Sequence, residues 1–144
     1  MNTGSNPFNN FFAGFYELWG GNSLGKFSDV LYKYNVYAEL GYWLLGIAAV
    51  LAFAYYAYNS PSFKHWYHWG LVLLVGLLLD GFIAYRTVDN LFLTLGIPSN
   101  QNGELMQFIV WNGVLFFVAY FLFSLVRKIK PISNRITSTK NTPF

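Results

Sequence analysis

An all-α integral membrane protein with three transmembrane helices is the fold class this sequence predicts, and three observations predict it. Only 10 % of the residues are charged while 55 % are hydrophobic, against roughly 25 % charged in an average soluble domain. Too few charges exist to coat a water-soluble globule. The apolar residues gather into three runs, near residues 36–58, 66–86 and 105–126, each close to the ~20 residues a helix needs to cross ~30 Å of hydrocarbon. The link between the first two runs, Asn59-Ser60-Pro61-Ser62, is short and carries turn chemistry, which makes those runs antiparallel neighbours.

The chain then divides into an N-terminal amphipathic segment over residues 1–35, a three-helix transmembrane domain over 36–127 and a basic tail over 128–144. In the first segment Phe8, Phe11, Phe12, Phe15, Leu18 and Trp19 recur at helical spacing and form one apolar stripe. Asn6-Pro7 reads as an N-cap followed by proline at the first helical position, and Gly20-Gly21 reads as the stop. The polar side of this short helix carries Asn9, Asn10 and Glu17 and no basic residue, so attraction to anionic lipid is not what would hold it at a membrane surface. It is expected to lie in the interface or to dock on a partner. A second weak pattern, Leu24, Phe27, Leu31 and Tyr34, leads into an aromatic girdle of Tyr32, Tyr34 and Tyr37. No basic residue precedes the first aromatic run, so the first span is expected to act as its own insertion signal.

The first span carries one charge, Glu39, near its start, and its interior mixes small and large residues. Gly46, Val50 and Ala54 form a small-residue ridge at four-residue spacing, the natural candidate for its packing face. A polar stretch over residues 94–103 separates the second span from the third, which is uncharged and rich in phenylalanine. The tail contains Arg127, Lys128, Lys130, Arg135 and Lys140 and is broken by Pro131. Alone, such a composition does not fold.

Orientation follows from Lys and Arg. With three spans, Lys64 and the tail residues share one side, against Lys26, Lys33 and Arg86 on the other. The expected topology places the N-terminus outside and the C-terminus in the cytoplasm or matrix, in a bacterial inner membrane or an organellar inner membrane. The tail then acts as a positive-inside retention element, with anionic headgroups or a soluble partner as other ligands. Nucleic acid is a poor fit, because the basic residues are sparse and no aromatics accompany them before Phe144.

Function hangs on Asp80, inside the second run. It lies six residues before Arg86, which at a rise of 1.5 Å per residue places it ~9 Å deeper than that arginine. A charged side chain near mid-helix costs ~2.5 to 3.5 kcal/mol on insertion scales, so this group must be paired, protonated or hydrated. Matching depths across the three runs brings Tyr42 from the first span and Trp111 and Asn112 from the third to the level of Asp80, and these four form the expected intramembrane polar cluster. Nearer the interface, Arg86 is expected to pair with Asp89 or with Glu39.

A membrane carboxyl group is by default a proton or cation site, yet residues 71–79 of the same helix contain no polar side chain. No continuous polar route crosses the membrane within one chain, so a structural role is favoured. His65 and His68 lie at one end of one helix, whereas a bis-histidine haem needs ligands converging from opposite sides. With Trp66 and Trp69 they read as interfacial anchors. The chain has no cysteine, which excludes disulfides, iron–sulfur ligation and cysteine-rich zinc sites, and the side that holds the histidines carries no acid to complete a metal site, so no metal and no cofactor is expected. The sequence-level reading is a small non-catalytic membrane subunit of a larger respiratory, transport or secretion complex, in contact with lipid and with other kinds of subunit. One alternative is a self-assembling pore former, since the topology resembles that of one class of phage holins. The other is a proton- or ion-coupled subunit using Asp80.

Overall fold

The computed structural model describes residues 6–20, 25–57, 66–97 and 102–129. These form five helices and no strand: α1 (Pro7–Gly20), α2 (Gly25–Lys33), α3 (Val36–Ala57), α4 (Trp66–Thr94) and α5 (Asn102–Ile129). Three of them contain stretches long and apolar enough to cross a membrane: Val36–Tyr56, Tyr67–Thr94 and Gly103–Leu125. The helices α3, α4 and α5 pack pairwise into a bundle, and α1 lies across α3 and α5 at one end, with α2 beside α3. We call that end the cap end and the other, where α3 gives way to α4, the hairpin end.

Local chemistry explains where the helices begin and stop. Asn6 caps α1, its Oδ1 accepting from the Phe8 amide at 3.1 Å. Asn35 takes a left-handed conformation, φ 57°, which stops α2. Its carbonyl then accepts from the Glu39 amide at 3.2 Å and opens α3. Asparagine tolerates this backbone region better than other L residues with a side chain. The second span does not end near Arg86, as expected from the sequence, but runs on to Thr94. The added turns keep one apolar face, with Ala84, Val88 and Phe92 buried in the cap-end core. Gly96, at φ 66°, ends the helix: its amide bonds the Leu93 carbonyl, and the Ile97 amide bonds the Phe92 carbonyl, each at 3.1 Å. That pair of bonds is a Schellman motif, and it demands a residue comfortable at positive φ.

The core has two layers. At the cap end, Phe12 and Tyr16 of α1, Phe27 and Leu31 of α2, Tyr37 and Leu40 of α3, Val88 and Phe92 of α4 and Phe108 of α5 are buried together. Toward the hairpin end, Leu44, Ala48 and Ala52 of α3 meet Leu73 of α4 and Phe116, Ala119 and Tyr120 of α5. The packing face of α3 is thus Leu40, Leu44, Ala48 and Ala52. The ridge Gly46, Val50, Ala54 expected to pack instead faces outward, with Val50 66 % exposed. The two sets are offset by two residues, about 200° around a helix of 3.6 residues per turn, so they occupy opposite sides.

The apolar stripe expected on α1 also divides. Phe12 is buried while Phe8, Phe11 and Phe15 are exposed, and Asn9, expected on the polar side, is buried. The Asn9 amide donates to the Tyr32 carbonyl at 3.1 Å, and its Oδ1 accepts from the Ala38 amide at 3.2 Å. One side chain from α1 therefore satisfies an amide in the first turn of α3, a group the helix itself leaves open, and adds a second donor to the Tyr32 carbonyl at the end of α2, which already accepts from the Asn35 amide at 3.1 Å. Asn9→Ala is expected to destabilise the protein by about 1–2 kcal/mol, the cost of a lost cap and an orphaned Ala38 amide. Asn10→Ala, at an exposed position, should stay within about 0.5 kcal/mol of the parent. Reversible unfolding in mixed micelles compares the two.

Candidate functional site

The buried polar side chains of the bundle form two separate nodes. The first is centred on Asp80, which α4 carries at its midpoint, fourteen residues from either end of Trp66–Thr94. Asp80 is 2 % exposed, Asn112 on α5 0 % and Tyr16 on α1 1 %. The Asn112 amide nitrogen donates to Asp80 Oδ2 at 2.5 Å, and the Tyr16 hydroxyl donates to Asn112 Oδ1. Both ends of the carboxamide are engaged, so three helices are tied into one hydrogen-bonded chain. The Tyr16 ring is fixed by its neighbours, stacking on Phe108 at 4.8 Å and tilted against Tyr37 at 5.2 Å. The Tyr37 hydroxyl in turn shares a 3.0 Å hydrogen bond with Ser28 of α2. Burial, then the neighbouring Asp80 carboxyl group and Tyr37, push the Tyr16 phenol well above its ordinary value. Tyr16 therefore keeps its proton and acts as the donor to Asn112.

Of the four residues expected to cluster, the structure joins Asp80 and Asn112. Trp111 is partly buried against the cap-end core. Tyr42 is elsewhere: it is 51 % exposed, and its ring meets Phe8 at 5.4 Å. Depth does not select a face, and α3 turns Tyr42 toward Phe8 on the exposed side of α1 rather than toward Asp80 and Asn112. The hydroxyl supplied to the chain comes instead from Tyr16. One pattern in the sequence could have found it, since Asn9, Phe12, Ala13 and Tyr16 share a single helical face.

Because α4 continues to Thr94, Arg86 and Asp89 sit on its shaft rather than at its end. Arg86 and Glu39 are exposed and Asp89 is half-buried. No ion pair joins these three among the described residues.

The second node is at the hairpin end. Trp69 is half-buried and its indole donates to Ser124 Oγ at 3.2 Å, while its ring meets Tyr120 at 5.4 Å. Trp69, expected as an interfacial anchor, thus ties α4 to α5. The Tyr120 hydroxyl is buried and has no hydrogen-bond partner among the described residues. His68 is half-buried, its ring 4.2 Å from that of Tyr67. His65 lies outside the described residues, and Trp66 is described only as the first residue of α4. Arg127 and Lys128 belong to the last turns of α5, while Lys130, Arg135 and Lys140 lie outside the described residues. Among the described residues no three His, Cys, Asp or Glu side chains gather as a metal-binding group.

Leu73, Gly76 and Phe116 occupy the space between the two nodes. Each node can therefore hold helices together and orient side chains, and the described polar groups do not join the two into a path.

Comparison with known proteins found no matching protein-family model, no matching curated protein and no matching solved structure. What stands at this point is a class: an all-helical chain with three helices long and apolar enough to span a membrane.

Proposed function

We propose that the chain is a small non-catalytic subunit of a larger membrane assembly of the respiratory, transport or secretion type, acting as a scaffold. The observation that carries this reading is the closure of Asp80 within the chain. Its carboxyl group is held by Asn112, which is held by Tyr16, so the most functional-looking residue of the sequence fastens α4, α5 and α1. In this reading the aromatic face of α1 meets lipid rather than water. The N-terminus is outside, and the basic tail is retained on the cytoplasmic or matrix side of a bacterial or organellar inner membrane. Its neighbours are lipid and other kinds of membrane subunit.

The test is gentle solubilisation of source membranes, native electrophoresis and mass spectrometry of the co-migrating chains. The expected result is a particle far heavier than the 16.5 kDa chain with its detergent, containing a fixed set of other chains. Recovery as an isolated chain would overturn the proposal, as would abrupt loss of membrane potential on induced expression, which is the behaviour of a pore former. Asp80→Asn addresses the proton-coupled alternative. Loss of assembly in that variant supports a fastening role, whereas an assembled complex without activity would overturn it.

A further inference from the structure

We propose that the phenylalanine ridge of α1 is seated among the acyl chains of one leaflet, so that α1 is a lipid-immersed helix held by the bundle on one side and by hydrocarbon on another. This rests on the reading of α3, α4 and α5 as membrane-crossing.

Phe12 packs on Gly41, and Tyr16 on Tyr37, Phe108 and Asn112. All these partners lie inside the apolar stretches Val36–Tyr56 and Gly103–Leu125, not beyond their ends. The stretch on α3 has 21 residues, a length of ~31 Å at 1.5 Å per residue, barely the ~30 Å of the hydrocarbon layer. Little slack remains for its first two turns to stand clear of the lipid, and α1 lies against those turns.

At 100° per residue α1 divides into three faces about 120° apart. Asn9, Phe12, Ala13 and Tyr16 face the protein core. Phe8, Phe11 and Phe15 are exposed and touch one another or α3, with Phe11 to Phe15 at 5.0 Å and Phe8 to Tyr42 at 5.4 Å. The polar face carries Asn10, which accepts from the Tyr32 hydroxyl of α2. Through Tyr42 the ridge continues into the exposed apolar side of α3, including Trp43, Leu45, Val50 and Phe53. If α3 spans the membrane, that surface meets acyl chains, and the ridge extends it without a break. Asp29 and Lys33 of α2 are exposed and belong on the water side.

Charge identifies the lipid chemistry. The segment Pro7–Gly20 contains no lysine or arginine, so nothing on α1 recruits anionic headgroups, and the attraction is that of aromatic surface for hydrocarbon. Seating should therefore be indifferent to lipid charge.

The chain has no cysteine, which permits single-site nitroxide labelling of the full chain in phosphatidylcholine vesicles. Labels go at Phe8→Cys, Phe11→Cys and Phe15→Cys, with Leu78→Cys on the exposed side of α4 as the lipid reference and Asp29→Cys as the water reference. Collision with oxygen and with an aqueous nickel chelate is measured at each. The expected result is an oxygen-to-nickel ratio at the three ridge positions severalfold above that at position 29 and approaching that at position 78. It should be unchanged when a third of the lipid is replaced by phosphatidylglycerol. Ridge labels as open to nickel as position 29 would overturn the proposal, and so would ridge labels shielded from both reagents in source membranes, which is the signature of a protein partner. A nickel-accessible label at position 78 would overturn the spanning reading itself, so the two failures are distinguishable.

Discussion

Replacing Asn112 with leucine is expected to destabilise the protein by about 3 kcal/mol, although leucine has the same branched outline and number of side-chain heavy atoms. Two contributions compete for that figure. The lost interhelical hydrogen bonds are worth little in a membrane, averaging about 0.6 kcal/mol each. Leaving the Tyr16 hydroxyl and the Asp80 carboxyl group buried without a partner costs about 1–3 kcal/mol apiece, and this term dominates. A consequence of sign follows. Asp80→Leu combined with Asn112→Leu removes the stranded acid and should be more stable than Asn112→Leu alone. Tyr16→Phe orphans only one acceptor and should cost about 1 kcal/mol. Tyr120→Phe removes a buried hydroxyl that has no hydrogen-bond partner among the described residues and should be neutral or slightly stabilising. All four are read from reversible unfolding in mixed micelles. A double variant less stable than Asn112→Leu would show that stranding of Asp80 is not the source of the cost.

Gly41→Ala should be nearly as damaging, at about 2–3 kcal/mol, despite adding a single methyl group. A Cβ at this position would stand 2.3 Å from the Phe12 ring, closer than any carbon contact permits, so the ring must leave the cap-end core. Displacing a buried phenylalanine forfeits about 1.5–3 kcal/mol of burial, and crowding adds about 1–3 kcal/mol. The better helix propensity of alanine returns only about 1 kcal/mol. Gly46→Ala provides the contrast, because nothing lies within 4 Å of its added carbon and only the propensity gain remains. Adding Phe12→Leu to Gly41→Ala should recover part of the loss. Equal stability of the two alanine variants would show that α1 does not press on α3 as described.

The sequence disclosed the three long apolar helices because length and the scarcity of charge survive any arrangement. It disclosed the faces poorly, for a physical reason. A helix such as α3 is apolar on every side, so no polar stripe tells which side meets protein, and the Gly46, Val50, Ala54 ridge was as plausible as the Leu44, Ala48, Ala52 face that packs. Tyr42 falls to the same ambiguity, since its ring lies on the exposed side of α3 against Phe8. Asp80 and Asn112 were legible as a pair because two polar residues at one level in apolar surroundings have few other partners. Tyr16 was missed because α1 read as a surface element, with no indication that it lies across α3 and α5. The long end of α4 was missed because Arg86 and Asp89 resemble an interface, while Val88 and Phe92 find their partner, Phe27, on a helix distant in sequence.

The bond from Tyr16 to Asn112 joins residues 96 positions apart, and this imposes an order on biosynthesis. The helix that covers the bundle is made first, but the group it fastens to arrives with the last helix. Until α5 is in place, Tyr16 and Asp80 both wait without their common partner, and α1 is held only through its contacts with α2 and α3. The fastening of Tyr16 is therefore a late event, as expected for a contact of such long range. A chain interrupted before α5 would lack Asn112 and leave Tyr16 and Asp80 without the side chain that joins them.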